Sequence, residues 1–215
     1  MRVDHLVWYC ADLDRGRRFF TDSMDAAPVY GGIHPGEGTR NALLSLGDQT
    51  YIEILGRDPE QPEASIEAEV RALRGEGLYH WAVSGRDLAA LKAAVAAAAL
   101  EGGELVPGGR TLPNGKWLGW TCFGLKNHGF GALVPFVIDW MESEHPAKAA
   151  PRGGRFIGIE AFTPEPRQLA KIYGVLGVEI PIREAASPAL AVTIESGRGR
   201  RTLRLFDPVP RGYVI

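Results

Sequence analysis

The chain has 215 residues, 45% of them hydrophobic and 23% charged, with a formal net charge of −2. That length supports one domain with a sizeable core or two small ones, and the composition is ordinary for a folded chain. The charge balance offers no basic face to nucleic-acid phosphates, and the two cysteines build no disulfide framework. With no signal peptide and no apolar run of membrane-spanning length, the sequence predicts a cytoplasmic protein with neither nucleic-acid nor membrane partners.

Val3 to Cys10 is β-branched and aromatic and reads as a strand. Asp12 or Asp14 caps a helix that runs to about Met24. Gly31-Gly32 and His34-Pro35-Gly36-Glu37-Gly38 read as loop, and Asn41 to Leu46 and Thr50 to Leu55 as strands around a Gly47-Asp48 turn. Residues 1–59 thus form a first β-α-β-β-β module, and a charged helix, Glu63 to Arg74, lies in the connector 60–76. Residues 77–145 repeat the plan. Leu78 to Ser84 is a strand, and Asp87 to Leu100 a helix with Leu88, Leu91 and Val95 on one face. Glu104 to Val106, Trp117 to Phe123 and Leu133 to Met141 are further strands. After a linker rich in Ala, Pro and Gly, residues 153–207 begin the plan a third time, as a partial module with a structural role. The basic cluster Arg198-Gly199-Arg200-Arg201 reads as a solvated turn.

The predicted fold is therefore α+β: paired βαβββ modules forming a curved mixed sheet around a shared cleft, with a partial third module at the C-terminus. The repeat extends to chemistry. His5 precedes Asp12-Leu13 by seven residues, as His80 precedes Asp87-Leu88, and the closing strands carry Tyr51-Ile52-Glu53-Ile54 and Val137-Ile138-Asp139-Trp140. Side chains alternate along a strand. With the bulky apolar neighbours placed under the helices, His5, Glu53, His80 and Asp139 all reach the open face. Two imidazoles and two carboxylates suit one divalent ion (Zn, Ni, Fe, Mn or Co), are neutral with it, and leave room for a chelating substrate. Taken singly, each residue reads as well as a hydrogen-bonded histidine or a solvent-facing carboxylate; the matched placement favours the metal.

These features, with Asp4-His5-Leu6-Val7, Gly31-Gly32-Ile33-His34-Pro35, Gly38-Thr39-Arg40-Asn41-Ala42-Leu43, Leu46-Gly47-Asp48 and Pro135-Phe136-Val137-Ile138-Asp139-Trp140, resemble the vicinal oxygen chelate superfamily over about residues 3 to 145. That superfamily comprises glyoxalase, bleomycin-resistance and extradiol-dioxygenase proteins, and the chain is most similar to its glyoxalase-like members of unassigned function. The resemblance implies His5, Glu53, His80 and Asp139 as metal ligands. Aspartate departs from the glutamate of glyoxalase I, and direct ligation by Asp139 is the expectation. It also implies a lyase or isomerase acting on a small oxygenated substrate, with Glu53 or Asp139 moving the proton. The alternatives are a metal-free sequestering protein of the bleomycin-resistance type and an extradiol-type dioxygenase. His34 and Asn41 are candidate substrate contacts, and Tyr9, Tyr51 and Trp120 candidate aromatic walls. His128 and His145 read as solvated turn residues, and a homodimer is compatible with the sequence. The stretch from Gly109 to Lys116 fails as a phosphate-binding loop, because Arg110 and Trp117 stand where Gly and Ser/Thr are needed.

Overall fold

The computed structural model describes residues 1–112, 115–206 and 208–211. The first module runs β1 (Arg2–Cys10), α1 (Leu13–Ser23), β2 (Val29–His34), β3 (Thr39–Ser45) and β4 (Tyr51–Arg57). A short helix, α2 (Ala68–Ala72), lies in the connector. The second module runs β5 (Glu76–Ser84), α3 (Leu88–Ala97), β6 (Glu101–Gly102), β7 (Val106–Thr111), β8 (Trp117–Phe123), β9 (Leu125–Lys126) and β10 (Phe136–Asp139). The C-terminal unit is β11 (Arg155–Thr163), α4 (Pro166–Leu176), β12 (Ile182–Glu184), β13 (Ala189–Ser196) and β14 (Gly199–Arg204).

The two modules join in one eight-stranded sheet of order β2-β3-β4-β1-β5-β10-β8-β7. In each module the first strand runs parallel to the last, and antiparallel pairing of β1 with β5 makes the seam. The seam is symmetric in sequence. His5 faces Ala82, Leu6 faces Trp81 and Val7 faces His80, so His5 and His80 are equivalent about an axis at Leu6 and Trp81. Each seam strand carries a bulge, at Asp4 and at Tyr79, and these positions are also equivalent. The paired modules of the α+β expectation are thus present.

The sheet's outer face carries the helices. Asp12 caps α1, its carboxylate accepting from the Asp14 and Arg15 amides. Leu6, Trp8, Ile52 and Ile54 pack beneath it with Phe20 and Met24, and the Trp8 indole stacks on Phe19 with centroids 5.3 Å apart. Trp81, Val83 and Val137 do the same under Leu88, Leu91 and Val95 of α3. The C-terminal unit joins this outer core through Ile159, Leu169 and Leu190, and the buried Tyr173 hydroxyl donates to the Leu133 carbonyl at 2.7 Å.

Several expectations are corrected. The Gly31-Gly32 stretch is strand β2, bulged at the glycines, where Gly32 adopts φ +142. The connector's long helix is only the short α2 after a single 3-10 turn. The last strand of the second module is shorter than expected, because Gly131–Leu133 forms a 3-10 turn. The C-terminal unit has the element order β-α-β-β-β, but its strands lie β12-β11-β13-β14, unlike either module. No helix among the described residues is long and apolar enough to cross a membrane.

Candidate active site

The inner face of the sheet curls around a cavity of about 400 Å³ bordered by His5, His34, Asn41, Tyr51, Glu53, Arg110, Leu118, Trp120, Phe136, Ile138 and Trp140. The edge strands β2 and β7 approach each other across it. A larger cavity, about 740 Å³, is bordered by His80, Lys126, His128 and Phe136. The smaller one is where acid–base groups converge, so we take it as the candidate site.

His5 is held from behind. Its Nδ1 lies 2.8 Å from Asp4 Oδ1, a carboxylate with 0% of its surface exposed. Asp4 also accepts from Trp140 Nε1, 3.2 Å from each oxygen, and from His145 Nε2 at 3.1 Å. His145 Nδ1 accepts from the Ala147 amide, so its proton sits on Nε2 and points at Asp4. Burial would raise the Asp4 pKa, but the hydrogen bonds from His145 and His5 outweigh it and hold Asp4 down at about 2. An ionised Asp4 fixes the His5 proton on Nδ1 and leaves the Nε2 lone pair toward the cleft, 3.8 Å from Glu53 Oε2. Tyr51 stacks on the His5 ring with centroids 4.8 Å apart.

Glu53 anchors a polar chain across the cleft. Its Oε1 accepts from Asn41 Nδ2 at 2.6 Å and lies 3.5 Å from His34 Nε2. Asn41 Oδ1 in turn accepts from Arg110 Nη1 at 3.0 Å. Burial opposes ionisation of Glu53, yet His34, His5, the Asn41 amide and Arg110 together lower its pKa. The double glycine of β2 makes this crossing fit: a Cβ on Gly31 would come within 2.3 Å of Asn41 Oδ1, and one on Gly32 within 2.7 Å of Arg110 Nη1.

Of the four expected metal donors only His5 and Glu53 are brought together in this cleft. His80 is buried, its Nε2 3.0 Å from the Val134 carbonyl, and burial holds its pKa down to about 4. The Phe136 ring stands against both histidines, its centroid 5.4 Å from His5 and 5.2 Å from His80. Asp139 is a correction: Phe136, Ile138 and Trp140 face the cleft, whereas Asp139 lies in a different depression and accepts from the Met141 amide at 2.8 Å. The strand register explains this. Glu53 sits opposite Val7, whose symmetry equivalent is Ala82, and Ala82 sits opposite Phe136. The counterpart of Glu53 is therefore Phe136. Matching it to Asp139 slips the strand by three residues, and an odd slip changes face. With phenylalanine at the fourth place and one oxygen of Glu53 taken by Asn41, no group of three or more His, Cys, Asp or Glu among the described residues could hold a metal ion. These residues do not fit a divalent ion.

His34, Asn41, Tyr51 and Trp120 border the cleft. Tyr9 does not; it is buried beside Phe206, its hydroxyl accepting from Arg57 Nε at 3.3 Å. The sequence reading missed Asp4, Arg110, Phe136, Trp140 and His145. His145 is tied to Asp4 rather than solvated, and His128 accepts from the Phe130 amide. Trp140 and Phe136 could have been found by continuing the strand alternation from the β10 register; Arg110 carried only the signal of a second double glycine, Gly108-Gly109, ahead of it.

A family model described as a Glyoxalase-like domain matches residues 3–177. The chain belongs to this family and, through it, to the vicinal oxygen chelate superfamily. Its fold is similar to that of a hypothetical protein from Staphylococcus aureus, with a TM-score of 0.65 and 18% identity, covering 94% of this chain and 84% of that one. It is also similar to methylmalonyl-CoA epimerase from Mycobacterium tuberculosis, with a TM-score of 0.50 and 20% identity, covering 65% of this chain and 88% of the epimerase. Identities this low speak for the fold alone. No curated protein matches the sequence.

Proposed function

We propose that the chain is a small-molecule isomerase or lyase that moves a proton next to a carbonyl group, with His5 as the base. The observation that carries this reading is the buried Asp4–His5 couple, whose imidazole Nε2 is directed into the cleft beside Glu53. Relatives in the superfamily commonly bind a divalent ion, but the donors here do not fit one, and no step is routed through it. His5 Nε2 takes the proton, and the electron pair of the broken C–H bond moves onto the carbonyl oxygen as an enolate. Asp4 stabilises the imidazolium that forms, as a buried carboxylate behind a histidine does. Glu53 stays ionised and accepts hydrogen bonds from substrate hydroxyl groups. Return of the proton to carbon, or loss of a leaving group from the enolate, completes an isomerase or lyase cycle. The aromatic surround of Tyr51, Trp120, Phe136 and Trp140 supports a second reading, a binding protein without turnover.

The test is proton NMR in D₂O with a panel of carbon acids: 2-oxo acids, α-hydroxyketones and methylmalonyl-CoA. The expectation is enzyme-dependent exchange of an α-proton that His5→Ala abolishes while less than a tenth of an equivalent of divalent metal is bound. Exchange that is absent throughout, or indifferent to His5→Ala, would sink the catalytic reading. Ligand binding without exchange would favour the binding protein.

A further inference from the structure

We infer that the cleft recognises a monocarboxylate through Arg110, with the flat, unsaturated body of the ligand lying against Trp120 and Trp140. This rests on the reading of the cleft as a substrate site and adds to it the class of substrate.

Arg110 reaches in from β7 and is only 7% exposed, yet it borders the cavity. A guanidinium carries five N–H donors. Among the described residues the one protein partner of Arg110 is Asn41 Oδ1, bonded to Nη1. A charge removed from water without a counter-ion is costly, so a buried guanidinium facing a cavity is a site made for an anion. Glu53, which shares the cleft, is kept off it. Asn41 stands between them, its amide nitrogen on Glu53 and its amide oxygen on Arg110, so both ends of the side chain are used. The donors left on Arg110 keep the fork that a carboxylate matches with two parallel hydrogen bonds.

Charge and shape narrow the ligand. Glu53 lies close enough to act electrostatically with Arg110, so a dianion such as a phosphate monoester meets repulsion that a single carboxylate meets more weakly. Toward β8 and β10 the cleft is apolar and aromatic. Trp120 and Trp140 meet edge to face with centroids 5.6 Å apart, beside Leu118 and Ile138. The Trp120 indole lies flat on β7 because residue 108 is glycine: a Cβ there would come within 2.3 Å of Trp120 Nε1. Such a wall favours a planar, polarisable body.

The experiment is calorimetric titration of the full chain with benzoate, phenylacetate and phenylpyruvate, with benzamide and phenylacetamide as neutral counterparts, and with phenyl phosphate. At least one acid is expected to bind below about 1 mM, and benzoate or phenylacetate tenfold or more tighter than its own amide. Phenyl phosphate should bind more weakly than the acids. Arg110→Gln should erase the preference for acid over amide, and Arg110→Lys, which keeps the charge and guards against a folding defect, should keep part of it. His5→Ala should keep the preference although it abolishes proton exchange. Preference without exchange would retain Arg110 and reject the catalytic reading; exchange with acids and amides bound alike would do the reverse. Failure of every acid to bind at 10 mM, tightest binding of phenyl phosphate, or a preference that survives Arg110→Gln would each overturn the inference.

Discussion

The two modules have the same strand order and nearly the same outer faces, but opposite inner faces. Under the helices, Leu6, Trp8 and Ile54 of the first correspond to Trp81, Val83 and Val137 of the second, apolar for apolar. Inside, the first module presents His5 and Glu53 where the second has His80 turned to a backbone carbonyl and Phe136. The bulges repeat the contrast: the first places Asp4 behind His5, and the equivalent residue in the second is Tyr79, buried in the inner apolar cluster. A duplicated fold is held by the face that packs, so the other face is free to diverge. Here one half has kept the acid–base groups, and the other supplies a wall and one cation, Arg110. The chemistry is therefore lopsided although the architecture is symmetric.

Changing the bulge residue breaks this contrast most severely. Asp4→Asn removes the charge behind His5 and lets an amide N–H face Nδ1, which moves the imidazole proton to Nε2 and occupies the base. Exchange of an α-proton should fall by about 10²–10⁴-fold. Stability should drop by about 3 kcal/mol, because one buried and two part-buried donors lose a buried charged acceptor. Exchange at the wild-type rate, followed by NMR in D₂O, would show that Asp4 has no part in activating His5.

Acid separates the modules in a second way. His80, with its folded pKa depressed from 6.5 to about 4, stays neutral while an unfolded histidine takes up a proton. Its contribution is present above pH 6.5 and is lost as pH falls toward 4, amounting to about 3 kcal/mol. Asp4, lowered from 3.8 to about 2, contributes stability above pH 3.8 that is lost only as pH falls toward 2. Urea unfolding across these windows should show two successive declines, the upper from the second module and the lower from the first. His80→Gln should flatten the upper one and spare the lower. Some slope will remain from His128, which burial also holds down. An unchanged slope between pH 6.5 and 4 in that variant would refute the assignment.

How much of this was legible follows from which interactions are local. The repeat, helices α1 and α3 and the outer core could be read, because apolar periodicity and caps act over a few residues: Asp12, Leu88, Leu91 and Val95 behave as their spacing predicts. His5 and Glu53 were placed on the inner face by alternation alone. The errors lie where pairing between distant strands decides. Asp139 copied the local pattern of Glu53 but not its register. Asp4 should have pointed away from the cleft by alternation, and only the bulge brings it to His5. Tyr9 obeys the alternation yet ends under Phe206, beyond the cleft. Arg110 sat in a glycine-rich stretch that failed as a phosphate loop, and its role depends on β2 and β7 meeting across the sheet.

That meeting supplies the smallest and most discriminating comparison, because each module carries a double glycine on its strand at the cleft rim. A Cβ on Gly31 would crowd Asn41 Oδ1 at 2.3 Å and Arg110 Nη1 at 3.1 Å, so Gly31→Ala must push the polar bridge apart. A Cβ on Gly108 would meet the Trp120 indole first, within 2.3 Å of its Nε1. Each change should cost about 1–3 kcal/mol by overpacking, whereas Gly158→Ala, with nothing within 4 Å of the new methyl, should stay within about 0.5 kcal/mol of wild type. Their effects on ligands should differ in kind. Gly31→Ala displaces the charged anchor, so an acid should lose more affinity than its amide. Gly108→Ala moves the aromatic wall, so both should weaken together. Equal losses for acid and amide in Gly31→Ala would mean that the polar bridge and the wall are one packed unit, and that the division of labour between the modules is less sharp than their inner faces imply.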